Sequence, residues 1–184
     1  MNGKRLRRAL LVVAGALGLL VLVAVAGLPL YVFPPRDAVP ADADLVYVIG
    51  PPRAPRLAAA EQLLAESAPD RLLVSVSAAG ALSASDLPVC DDADVTCGTP
   101  DPFTTAGEAR MLTEYARTHE VHDPVVVTFT PHVARTRYIF AKCYGSDVTV
   151  VGVDEHLGFF DWAYEYLYQT AAFVKAWIVP CPGA

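Results

Sequence analysis

Hydrophobic and polar positions divide this chain into two regimes. From Ala9 to Phe33 the residues are uncharged and mostly apolar for 25 positions, whereas beyond Asp44 short β-branched runs alternate with stretches whose Ala and Leu recur at helical spacing. The second regime predicts strands at Leu45 to Ile49, Arg71 to Ser77, Val125 to Phe129 and Asp147 to Val153. It predicts helices at Pro55 to Ser67, Thr105 to His119, Pro131 to Lys142 and Leu157 to Ile178. Val125 to Val127 is too continuously apolar for an edge strand and reads as one buried on both faces. Strands alternating with helices imply an α/β fold, a three-layer α/β/α sandwich with a mostly parallel, Rossmann-like sheet. Residues 78–103 break the alternation with little periodicity, and so long a loop is expected to be an ordered lid.

The first regime changes the picture from a plain globular domain. As a helix, 25 residues extend about 37 Å, enough to cross a bilayer core of about 30 Å with some tilt. Lys4, Arg5, Arg7 and Arg8 precede the run and orient its amino end to the cytoplasm. The rival reading is a cleaved signal peptide, since Ala24-Val25-Ala26 has the small residues of a cleavage site. The apolar run continues past that site to Phe33, which favours an uncleaved anchor. The expected organisation is a basic cytoplasmic tail (1–8), a membrane helix (9–33), a Pro-rich tether (34–43) and an extracytoplasmic domain (44–184). Membrane lipid is thus an expected partner.

Charge is divided at the same place. Nine of the 14 Lys and Arg but all 20 Asp and Glu follow Arg36, so the tether and domain together carry a net charge of −11. Nucleic acid, whose affinity for proteins is mostly cationic contact with phosphates, is excluded as a partner. Four cysteines in a secreted setting suggest two disulfides. Cys143 and Cys181, each just after a helix, belong at the bottom of the sheet, and Cys90 with Cys97 at the top. The expected pairs are therefore Cys90–Cys97 and Cys143–Cys181, because bonded partners need Cα atoms within about 7 Å.

Against so acidic a background each cation near the sheet's carboxyl end stands out. Ligands bind at that end in open parallel sheets. Four segments deliver polar residues to it: Arg53 and Arg56 after the first strand, Ser75 and Ser77 ending the second, Thr105 and Glu108 opening the second helix, and Thr130, His132 and Arg135 after the third strand. Thr130 offers an N-cap oxygen with Pro131 at the first helical position, which sets His132 and Arg135 three apart on one helical face. Imidazole and guanidinium beside a helix amino end suit a phosphate or carboxylate. Arg56 in a first turn opposes the helix dipole unless an anion is near. Each residue also has a plainer explanation. Thr105-x-x-Glu108 is a capping box, Arg135 can be a solvated helix residue and Arg53 simply exposed. Asp91, Asp92 and Asp94 lack the spacing of a calcium loop, and no metal site or cofactor is expected. No nucleotide-binding glycine fingerprint and no nucleophile elbow occur. The last helix is rich in aromatics, and Phe159, Trp162, Tyr166, Phe173 and Trp177 are spaced for core packing, with any surplus face suited to lipid headgroups.

The stretch VTFTPHVARTRYIFAKCY, with DPFTTAGEAR before it and LVYVIGPPRAPRLAAAEQLL at the start of the domain, resembles the YdcF/SanA/ElyC family of bacterial proteins in its membrane-anchored form. Gly50-Pro51 and Ser77-Ala78-Ala79 stand where the family has Gly-Gly and Ser-Gly-Gly. The resemblance implies a role in the cell envelope and in metabolism of the polyprenyl lipid carrier. A polyprenyl phosphate or another anionic small ligand is then the expected guest. In an enzyme of this kind Glu108 or His132 would exchange a proton, while Arg53, Arg56, Ser75, Ser77, Thr105, Thr130 and Arg135 line the ligand site. A non-enzymatic envelope scaffold is the alternative.

Overall fold

The computed structural model describes residues 3–67, 71–146 and 148–183. Met1 and Asn2 of the tail, Asp147 at the start of the expected fourth strand and Ala184 lie outside them. Helix α1 (Gly3–Gly27) runs on through a π-turn at Leu28–Val32 and is long and apolar enough to cross a membrane. Five strands follow: β1 (Leu45–Val48), β2 (Leu72–Ser75), β3 (Val95–Gly98), β4 (Pro124–Phe129) and β5 (Thr149–Val153). The domain's helices are α2 (Ala54–Ser67), α3 (Thr105–His119), α4 (Val133–Cys143) and α5 (Phe159–Ile178).

All strand pairs are parallel, in the order β3-β2-β1-β4-β5. The chain moves outward from β1 to β3, then crosses back to β4 on the other side. That reversal opens a crevice between the carboxyl ends of β1 and β4, the topological switch point at which such sheets take ligands. Alternate strand residues feed two cores. Val46, Val48, Val74 and Val127 pack with Ala60 of α2, whereas Leu45, Tyr47, Leu73 and Val126 pack with Leu112 of α3 and Phe140 of α4. Helices thus cover both faces, and the apolar runs of β1, β2 and β4 are buried on both sides.

Three expectations need correction. The segment 78–103 is no simple lid, because it contains edge strand β3 and two short 3-10 turns. Cys97 lies within β3 rather than in a top loop, although both disulfides, Cys90–Cys97 and Cys143–Cys181, pair as expected. None of Phe159, Trp162, Tyr166, Phe173 and Trp177 is buried. Gln169 is instead the buried residue of α5, while Phe159 and Trp177 are 81% and 74% exposed.

Candidate functional site

The carboxyl edge of the sheet carries a cleft of about 990 Å³ between the loops after β1 and β4, the start of α3 and the side of α5. Its polar end is built by the backbone. Strand β4 ends at Thr128–Phe129, a 3-10 turn spans Thr130–His132, and α4 begins at Val133, which leaves His132 and Arg135 buried and facing α3 and α5. Thr130 is therefore not the cap of a helix, and its hydroxyl is turned away to Asp154 Oδ1. Thr104, not Thr105, caps α3 by accepting from Gly107 N–H at 3.2 Å. A Cβ on Gly107 would lie 1.8 Å from the Pro102 carbonyl oxygen, so only glycine lets the incoming loop fold back over the first turn.

Freed from capping, Thr105 joins a hydrogen-bonded chain. Arg135 Nη1 donates to Thr105 Oγ1 at 3.4 Å, and Thr105 Oγ1 lies 3.3 Å from His132 Nε2. His132 Nδ1 lies 2.9 Å from Thr128 Oγ1. Each ring nitrogen of His132 is thus paired with a threonine hydroxyl, a group that can donate or accept. Burial pushes His132 well below the ordinary histidine value, and the Arg135 and Arg56 guanidiniums add to it. His132 is thus a neutral imidazole held between two hydroxyls. Arg135 Nε donates to Gln169 Oε1 at 2.8 Å, Gln169 is held in turn by Glu165, and the guanidinium lies over the Tyr168 ring.

Glu108 sits across the crevice, where Oε1 accepts from Gly50 N–H at 2.6 Å and from Ser75 Oγ at 2.8 Å. Burial pushes its carboxyl above the usual glutamate range, against the opposing pull of Ser75, Gly50 N–H and the two guanidiniums. One carboxyl therefore ties together the ends of β1 and β2 and the start of α3. Arg56, only 3% exposed, donates to Glu155 Oε1 at 2.7 Å and to the Pro51 carbonyl, with its guanidinium 4.7 Å over the Phe129 ring.

Of the residues singled out in the sequence, Arg53, Arg56, Thr105, Glu108, His132 and Arg135 line this one cleft. Ser75 lies behind it as a partner of Glu108. Ser77 does not reach it, because its hydroxyl donates to Ala79 O in the turn leading away. From the 78–103 segment only Pro102 and Phe103, at and beside its end, touch the cleft. Sequence reasoning missed Thr128, Glu155 and Gln169. Thr128 had a local signal as the hydroxyl four residues before the histidine. Glu155 and Gln169 meet Arg56 and Arg135 across 99 and 34 residues and had none. Among the described residues no group of three or more His, Cys, Asp and Glu is arranged to hold a metal ion.

Away from this polar end the cleft continues along α5 past Ala172 and Ala176 to Cys143 and Pro180, with Lys142 and Lys175 beside it. Comparison of the chain with protein-family models, with curated proteins and with solved structures finds no match in any of the three.

Proposed function

We propose that this chain is a single-pass membrane protein, amino terminus inside, whose extracytoplasmic domain binds an anionic, phosphate-bearing ligand at the switch-point cleft. The observation that carries the proposal is the meeting of two buried guanidiniums, Arg56 and Arg135, with a neutral imidazole and a carboxyl in one crevice. Burying cations is costly, and a region after Arg36 with net charge −11 has few to spare. The basic tail and the two disulfides support the orientation.

The cleft is larger than inorganic phosphate needs, and its extension along α5 suits a ligand with an apolar tail. A polyprenyl phosphate, the guest implied by the family resemblance, has both parts and would place this protein in envelope precursor metabolism. In a phosphoryl reaction Arg56 and Arg135 would stabilise charge on the phosphate oxygens, and His132 Nε2 would accept a proton or Glu108 deliver one. Titration of the full-length protein in detergent with pyrophosphate and with farnesyl pyrophosphate tests this by calorimetry. Wild type should bind and Arg135→Ala should lose at least about tenfold in affinity, the equivalent of one charge-assisted hydrogen bond. Absence of binding in wild type, or equal binding in both, removes the proposal.

A second reading, a non-enzymatic envelope scaffold, is favoured by one observation: the cleft's polar side chains already satisfy one another. It predicts that His132→Ala still supports growth of a deletion strain while removal of α1 does not.

A further inference from the structure

The way α1 joins the domain points to a second contact with the bilayer. We propose that the carboxyl edge of the sheet is a lipid-docking face, in which the first turns of α5 sink through the headgroup–acyl boundary of the leaflet that α1 leaves. The proposal rests on α1 being a membrane span and does not depend on which ligand fills the cleft.

The end of α1 does not dangle from the domain. Its last turn, Leu28–Val32, packs on the Thr130–His132 turn, on α4 and on α5, so the edge bearing the cleft is the edge nearest the membrane. Tyr31, 5% exposed, lies edge-on to Tyr166 at 5.1 Å, and its hydroxyl is 2.9 Å from Thr170 Oγ1. The Tyr166 hydroxyl donates to the Ala24 carbonyl at 3.0 Å, and a Cβ on Gly27 would fall 2.3 Å from the Tyr166 ring. Helix α5 is therefore clasped to α1 below the end of its apolar run.

Depth follows from the geometry of a helix. About 20 residues cross a hydrocarbon core of about 30 Å, so a span starting at Ala9, just past the basic tail, ends near Leu28. Ala24 then lies about 6 Å inside that boundary. Contacts climb the two helices in the same sense, Ala24 and Gly27 with Tyr166 and then Tyr31 with Thr170. Residues of α5 before Tyr166 consequently lie at the level of Ala24 or deeper. Those residues include Phe159 and Phe160, which are 81% and 83% exposed on the protein. Phe160 precedes Tyr166 by six residues, about 9 Å of helix rise, so these apolar rings sit beyond the boundary among the acyl chains, where an interfacial helix buries its apolar face. Asp161, in the same turn, is held by Gly158 N–H and projects about 100° around the helix from Phe160. With lipid against this edge, the cleft beside Tyr164 and Tyr168 opens onto the bilayer surface rather than onto bulk water.

The chain carries two tryptophans, Trp162 and Trp177, both on α5. Replacing both by Phe and making Phe160→Trp gives a full-length protein with one reporter at the proposed depth; Trp162→Phe alone leaves Trp177, about 25 Å farther along the helix, as the remote reporter. Each is reconstituted in phosphatidylcholine–phosphatidylglycerol vesicles with plain or dibrominated acyl chains. The reporter at position 160 should lose roughly half its intensity to the bromines and Trp177 far less. Phe159→Trp in the same background repeats the measurement should the first variant fold poorly. Quenching that is absent at both positions, or equal at 160 and 177, overturns the docking. So does emission that ignores bromine but shifts as protein is diluted in lipid, which would place a second copy on the helix. Failure of the wild-type chain to float with vesicles overturns the anchor and the docking together, whereas a failed pyrophosphate titration touches neither.

Discussion

Replacing Glu108 separates a carboxyl that organises the crevice from one that merely fills it. Its Oε1 takes two hydrogen bonds, from Gly50 N–H and Ser75 Oγ, and both donors belong to strand ends that would otherwise have no common partner. Glu108→Gln keeps an acceptor oxygen in the same place; Glu108→Ala keeps none. Ser75 is fully buried, so its orphaned hydroxyl should cost about 1–3 kcal/mol, and the Gly50 N–H, half-exposed and reachable by water, about 1. The alanine variant should therefore be less stable than the glutamine variant by about 2–4 kcal/mol. Comparing two neutral residues cancels the cost of ionising a buried acid, which enters only against wild type. There the sign is fixed by the raised carboxyl value: the native state holds its proton longer than the unfolded one. The contribution of Glu108 is full below the ordinary glutamate value of about 4.3 and is lost as pH rises through its elevated value. Glu108→Gln should accordingly gain on wild type as pH rises from 4 to 7. Urea unfolding of the full-length protein in micelles, followed by α5 tryptophan emission, measures both differences. Alanine and glutamine variants equal within about 0.5 kcal/mol would refute the organising role.

Three further outcomes follow from the same geometry. Gly107→Ala forces a methyl against the Pro102 carbonyl and should cost at least about 2 kcal/mol in the same unfolding assay, with loss of any anion binding as Thr105 moves. His132, held neutral by burial and two guanidiniums, contributes stability fully above about pH 6.5 and loses it as pH falls toward its depressed native value. The stability gap between wild type and His132→Gln, followed from pH 8 to pH 5, should therefore narrow or invert on acidification. Thr136 is fully buried in α4 with no partner for its hydroxyl, so the isosteric Thr136→Val should raise stability by about 1 kcal/mol, read as a higher urea midpoint.

How much of this was legible along the chain depends on how local each cause is. The buried strands and α3 were readable because β-branched runs and helical spacing act within a few residues. The His132–Arg135 pair was readable for the same reason, as an i,i+3 pair just past a strand. Strand β3 was not: Val95–Gly98 is a short, half-exposed edge strand with no apolar run, recruited by its ladder to β2 and stapled through Cys97. The capping box failed because Thr104 and Thr105 compete for one role, and only the close approach of Pro102 to Gly107 decides between them. The aromatic spacing of α5 misled because it assumed an inner face large enough for five rings. In the structure α5 lies on one flank, against α4 and the end of α1, and its buried position goes to Gln169, whose task is to hold Arg135.

The two guanidiniums of the cleft are not equivalent, and the difference decides where an anion would settle. Arg56 is neutralised at 2.7 Å by the carboxylate of Glu155, and that pair is nearly dry, at 3% and 12% side-chain exposure. An anion seeking Arg56 must compete with a charge already in place. Arg135 makes its hydrogen bonds to groups without charge, the Gln169 amide oxygen and the Thr105 hydroxyl, and lies against the face of Tyr168, while Glu108 and Glu165 act on it only through space. Neutral acceptors orient a guanidinium without cancelling its field, and they give way to an oxyanion because a charge-assisted hydrogen bond is about twice as strong as a neutral one. Thr105 is the natural point of exchange: released from Arg135, its hydroxyl remains beside His132 Nε2 and within the same crevice wall. On the proposed function, Arg135 would be the cation that meets an anionic guest, Arg56 with Glu155 a fixed wall that shapes the opening, and the chain from Arg135 through Thr105 to His132 the route by which binding at one end would be felt at the imidazole.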